Sequence, residues 1–136
     1  MTPVTSPSGA RVASQFIKFG IVGVLGLAAN TAVVYLLDGP MGLYLSGVVA
    51  WVAAATLTWA LHRSWTFRGP HGGGLRRQWA RFLAANSVGF VVYYAVYAGL
   101  VSSCVRCAAQ PLLAILAGAA VSLLVNFLLS RHLVFR

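Results

Sequence analysis

The chain has 136 residues, 60% of them hydrophobic and only 8% charged, and its mean hydropathy is +0.83; soluble chains spend about a quarter of their residues on charge, so a soluble domain of this size is excluded. Ten basic residues stand against one acidic residue, a formal charge of +9. They cluster in the joins between apolar runs and come without a zinc-finger, homeodomain or glycine-aromatic RNA motif, which excludes nucleic acid as a partner.

Residues 1–14 hold Pro3, Pro7, Gly9 and several small hydroxyl side chains, with Arg11 as the only charge. They read as a flexible cytoplasmic leader and not as a cleavable signal with its own apolar core. Four apolar runs follow, at 16–37, 43–61, 82–101 and 108–129. Each is close to the roughly 20 residues that cross a hydrocarbon core, and the bilayer forces helix because it offers no partner to an open backbone. The expectation is an all-α integral membrane protein with four transmembrane helices occupying residues 15–136. Asp38, Gly39 and Pro40 are the breakers between the first two spans and predict an exposed hairpin turn there. The middle join is longer and carries Arg68, Gly69, Pro70, Gly72, Gly73, Gly74, Arg76 and Arg77.

Charge fixes the orientation. With the N-terminus in the cytoplasm, nine of the ten basic residues fall on that side and Arg106 alone falls opposite. Positive charge in short loops and at helix ends biases insertion in this way, so the topology is N-in and C-in. Trp59, Trp65 and Trp79 then lie near the cytoplasmic interface that indoles favour, while Trp51 falls inside a span and reads as packing. Lys18 enters the first turn of a span, where its stem reaches water by snorkelling without a buried partner.

The two halves repeat. Lys18-Phe19 opens the first pair of spans and Arg81-Phe82 the second; Arg63-Ser64-Trp65-Thr66-Phe67 closes the first pair and Arg131-His132-Leu133-Val134-Phe135 the second. Both halves begin and end on the same side, so they are expected to be parallel two-helix repeats, one over 16–67 and the other over 79–135. Arg and Phe four positions apart share a helix face, which sets the ring in the apolar boundary and the guanidinium toward phosphate headgroups. Interfacial anchoring is an equal reading of the same pair. Gly20, Gly23 and Gly26 in the first span, and Gly118, Ala119 and Ala120 in the fourth, permit close helix contact. Four helices enclose little volume, so a homo-oligomer is expected, with a dimer as the first form to test.

These stretches, together with Leu61-His62 before the first ending and Asn126-Phe127-Leu128-Leu129-Ser130-Arg131 in the second half, resemble the GtrA-like family of small polysaccharide-synthesis membrane proteins. The resemblance covers nearly the whole chain after its leader. It implies a four-span protein of a bacterial inner membrane that serves cell-envelope glycosylation by translocating a sugar carried on polyprenyl phosphate. A non-catalytic adaptor that recruits or stabilises a glycosyltransferase is the alternative it implies. On the first reading Arg63 and Arg131 supply forked donors to phosphate, while Asn30 and Asn126 line a polar path and His62 and Lys18 add donors. Each has a plainer role as well: asparagines bridge helices within the membrane, and a neutral histidine is held by hydrogen bonds at a helix end.

Enzymatic readings fare worse. Asp38 is the only acid, which removes the paired carboxylates of sugar hydrolysis. His62, His71 and His132 lack zinc spacing, and no cofactor motif is present. Cys104 and Cys107 are two thiols near the predicted outer turn, read as reduced packing residues or a surface disulfide in preference to a redox pair, since no thioredoxin-like strand and helix pattern surrounds them. The spans hold no acidic residue of the kind a proton-coupled carrier uses.

Overall fold

The computed structural model describes residues 9–136 of the chain. Among them there is no strand, and four helices are long and apolar enough to cross a membrane: Gly9–Met41, Tyr44–Thr66, Leu75–Ser103 and Leu112–Val134. No more than about a fifth of each apolar window is covered by protein, so Ile17, Val24, Leu27, Phe90, Leu112 and Leu116 stand outward, as side chains do when lipid is their solvent. The multi-pass membrane architecture follows.

The chain divides into two compact units, residues 1–70 and 71–136. In unit 1, helix α1 (Gly9–Met41) packs on α2 (Leu43–Leu61), which runs into a π-helical turn at His62–Thr66. In unit 2, α3 (Leu75–Ser103) leads through the short α4 (Val105–Ala109) to α5 (Pro111–Leu129), and a second π turn follows at Ser130–Val134. The packing face of α1 is Phe19, Val22 and Gly26, and that of α3 is Phe82, Ala85 and Gly89, three and then four residues apart in both. That spacing makes one narrow stripe along a helix, so each of these helices spends one face on its partner within the unit.

Small residues set the approach of the helices. A Cβ on Gly26 would run into the Thr58 methyl, one on Gly89 into the Asn126 amide, and one on Gly118 would come within 3.0 Å of Tyr93. Gly20 and Gly23, in contrast, have open space above them, and Ala119 and Ala120 are exposed. Only part of each small-residue cluster therefore packs within its unit.

Two sequence expectations need correction. The reversal between the first two spans is not at Asp38, Gly39 and Pro40, because α1 continues through all three to Met41. Proline within the last turn removes only one donor near an end where the ladder is closing anyway. The break comes at Gly42, whose φ of 78° and ψ of 161° belong to a region open essentially to glycine alone. Its N–H donates to the Asp38 carbonyl at 2.8 Å. Likewise α1 begins at Gly9, so residues 9–14 of the expected leader are helical; the expectation for residues 1–8 lies outside the described residues. At 33 residues α1 is about 50 Å long, more than a hydrocarbon core needs, so its first turns extend beyond the span.

Candidate functional site

Each unit ends in the same local device. Phe67 N–H donates to the His62 carbonyl at 2.8 Å, and Phe135 N–H to the Ser130 carbonyl at 2.9 Å. These five-residue closures are π turns, a form that recurs where a helix must present side chains for function. Each turn swings the following phenylalanine inward. Phe67 lies edge-on to Phe19 with centroids 6.3 Å apart, and Phe135 lies edge-on to Phe82 at 6.0 Å and to His71 at 5.6 Å. Both rings are buried, so the expectation that they sit in the lipid boundary is overturned. The physical reason is the extra residue in the turn, which carries the ring past the lipid side and into its own unit.

His62 sits at the centre of the first device. Its ring stacks on Phe19 with centroids 4.2 Å apart and planes 10° from parallel, and its Nδ1 lies 3.0 Å from Thr66 Oγ1. With 2% of its surface exposed, it is closed off from the surroundings. The corresponding position of unit 2 is Ser130, whose buried Oγ has no hydrogen-bond partner among the described residues. Gln78 ties the second turn to α3, its Nε2 donating to the Val134 carbonyl at 3.4 Å.

Beside the first turn is a cavity of about 330 Å³. Arg11, Ser14, Gln15 and Lys18 line it from α1, and Trp65, Thr66 and Arg68 from the turn and its exit. Lys18 Nζ stands 5.5 Å over the Trp65 ring, a distance for cation–π attraction. Arg68 is held by its own Nε donating to the Ser64 carbonyl at 2.9 Å. The Oε1 of Gln15 is buried with no partner among the described residues. Three cations, an indole face and amide and hydroxyl groups together suit an anionic, hydroxyl-bearing headgroup.

Unit 2 has a different opening, which extends along its first helix in the other direction from the aligned position of Lys18, Arg81. A groove of about 310 Å³ runs between Ala84, Ala85 and Val88 of α3 and Leu129 and Leu133 of α5 and its turn, with Arg81 and Arg136 as its only charged lining. The sole acid of the chain, Asp38, lies in unit 1, so no side-chain carboxylate of unit 2 neutralises either arginine.

The sequence profile of the GtrA/DPMS transmembrane domain matches residues 18–136. The chain belongs to that family. This GtrA/DPMS-family chain is thus a membrane protein of polysaccharide or glycolipid synthesis, which agrees with its four helices long and apolar enough to cross a membrane. No curated protein matches the chain.

Of the residues singled out from sequence, only Lys18 lines either opening. Arg63 and Arg131 are each the second residue of a π turn and half-buried, outside both linings. Asn126 lies against Gly89, with its Nδ2 3.5 Å from Ser122 Oγ, which in turn donates to the Gly89 carbonyl at 2.8 Å. Ser122 is thus the hydrogen-bonded bridge across the α3–α5 crossing and Asn126 packs beside it, while the buried Oδ1 of Asn126 has no partner among the described residues. Asn30 is half-buried on α1, roughly 18 Å along the helix from Lys18. Sequence reasoning missed Arg68 and Arg136 as lining residues. The signal was present: Arg63-Ser64-Trp65-Thr66-Phe67-Arg68 and Arg131-His132-Leu133-Val134-Phe135-Arg136 each carry a second arginine five places on.

Proposed function

We propose that this GtrA/DPMS-family protein binds a polyprenyl-phosphate-linked sugar and translocates it from the cytoplasmic to the outer face of a bacterial inner membrane. The observation that carries the reading is the cation-lined cavity of unit 1, in which Arg11, Lys18 and Arg68 surround polar groups and the Trp65 indole. A phosphate takes the cations through charge-assisted hydrogen bonds, and a sugar takes the amide, hydroxyl and aromatic face. Arg63 and Arg131 guide the phosphate at the membrane surface from their π turns. Asn30 and Asn126 provide polar contacts deeper in the spans, and Asn126 shares its amide with the helix crossing. His62 acts by holding Thr66 at the cavity wall. The topology is N-in and C-in, the two units are parallel repeats, and the working form is an oligomer, with a dimer first.

Purified protein in liposomes, supplied with a labelled polyprenyl-phosphate sugar and assayed by a membrane-impermeant enzyme or oxidant, tests this reading. Movement that depends on the protein supports it. Specific capture of a glycosyltransferase with no movement of any sugar lipid would replace translocation with an adaptor role.

A further inference from the structure

The connection between α3 and α5 carries chemistry that the proposed function leaves unused. Cys104 closes α3, its N–H donating to the Leu100 carbonyl at 2.9 Å, and opens α4, its carbonyl accepting from the Ala108 N–H at 3.0 Å. Its side chain therefore stands on a backbone fixed from both sides. Cys107 follows in the first turn of α4, and its backbone N–H donates to Cys104 Sγ at 3.3 Å. The Cys107 thiol donates to the same sulfur, and the Arg106 N–H adds a further donor.

Packing does not account for the pair. No residue of α4 is buried, Val105 and Arg106 are exposed, and both cysteines are half-buried free thiols. Cysteine acts as a small hydrophobe only where a core surrounds it. The two sulfurs are instead partners of one another, and unequal ones: the donors converge on Cys104 and favour its thiolate, while Cys107 keeps its proton. Disulfide exchange needs that division, one thiolate to attack and one thiol to resolve. The local turn supplies it without a strand beside the helix.

We infer that Cys104 and Cys107 form an exchangeable dithiol–disulfide couple, with Cys104 attacking and Cys107 resolving, whose oxidant is a disulfide of the surrounding solution. The Cys104 thiolate attacks one sulfur of that disulfide, breaks its S–S bond, releases one thiolate and is left in a mixed disulfide. Cys107 gives its proton to solvent and attacks Cys104 Sγ, which forms the internal S–S bond and expels the second thiolate. Two electrons pass to the oxidant, and its two thiolates leave as thiols after taking up the protons that the cysteines released. The donors that favour the Cys104 thiolate stabilise the reduced form, so the internal disulfide is easily reduced again, unlike a structural one. The couple rests on the sulfur geometry; the proposed topology adds only that it faces the outer compartment, where disulfides persist.

The test equilibrates the full chain in phosphatidylcholine nanodiscs with glutathione buffers running from reduced to oxidised, then traps the thiols with a maleimide for intact mass. The parent should pass from two free thiols to an internal disulfide without retained glutathione, and should return when the buffer is reversed. Serine is a strong N-cap and its hydroxyl can donate as the thiol does, so Cys104→Ser and Cys107→Ser keep the turn. At neutral pH Cys107→Ser should form a mixed disulfide with glutathione at Cys104 several-fold faster than Cys104→Ser forms one at Cys107. Oxidised protein disulfide isomerase is run beside glutathione disulfide; exchange with either supports the couple, and the faster one identifies the source as a protein or a small molecule. A parent that keeps both thiols at every ratio with both oxidants, or that stays oxidised at every ratio, would overturn the couple, as would equal rates in the two serine variants. None of these readouts depends on movement of a sugar lipid.

Discussion

Asn126 and Gly89 occupy one another's space so closely that each defines the other. Glycine at 89 has no conformational reason to be there, since it sits inside a helix; its role is to let a polar amide reach the α3–α5 crossing. Gly89→Ala should therefore displace the Asn126 side chain and lower stability in detergent by about 1–3 kcal/mol, the usual range for overpacking. Gly89→Ala/Asn126→Ala should recover part of that loss. If the double variant were no more stable than Gly89→Ala, the close approach would not be the cause. The two cysteines allow a second test at this scale. The Cys107 thiol and backbone N–H both donate to Cys104 Sγ, the latter at 3.3 Å, which holds the Cys104 thiol below its ordinary range and pushes Cys107 up. In the reduced protein, alkylation of Cys104 should therefore set in at lower pH than that of Cys107, and Cys107→Ala should move the Cys104 profile upward. Coincident pH profiles would contradict the contact.

At the scale of elements, the helices were legible and their ends were not. Apolar runs identify spans because lipid contact demands them everywhere along the helix; three of the four recognised runs lie within single helices, while the fourth, 108–129, begins in α4 and is interrupted at Gln110, so that its helix starts at Pro111. The end of α1 was misplaced because Asp38, Gly39 and Pro40 carry breaker propensity, but only Gly42 has a backbone that no other residue adopts readily. Propensity is a local average, whereas a reversal one residue long needs one specific φ and ψ. Gly42→Ala should cost about 1–3 kcal/mol of stability, read as a lower unfolding midpoint in detergent, because a side chain must take up a glycine conformation. Gly39→Ala should change the midpoint far less, since Gly39 is helical with open space above it. Equal effects would place the reversal elsewhere. The π turns were hidden for a related reason. A five-residue closure has the same composition as a four-residue one, so Arg63 and Phe67 read as one helical face until the backbone showed the ring turning inward.

Across the whole molecule, nine of ten basic residues stand on the side proposed to face the cytoplasm. That asymmetry predicts that a cysteine introduced at Gly73 is labelled from the cytoplasm, and that one at Asp38 is labelled only from the opposite side. Labelling of Gly73 from outside intact cells would reverse the topology and with it the direction of transport. The candidate site was half legible at this scale. Lys18 and the repeated arginine endings were visible as pattern, while the two openings are lined by residues far apart in the sequence, as Lys18 with Trp65 and Ala84 with Leu133, which come together only once the helices are paired. On the proposed function, the chain carries a phosphate-linked sugar lipid across the bilayer through cationic helix ends. The direct measurement is movement of a labelled polyprenyl-phosphate sugar in liposomes, comparing the parent with Arg63→Ala and Arg131→Ala after each has been shown to insert and assemble like the parent. Protein-dependent movement is expected in the parent, with binding weakened by about one to two powers of ten in each variant. Absence of movement across several sugar headgroups would contradict it, and unaltered binding and movement in both variants would remove Arg63 and Arg131 from the phosphate path.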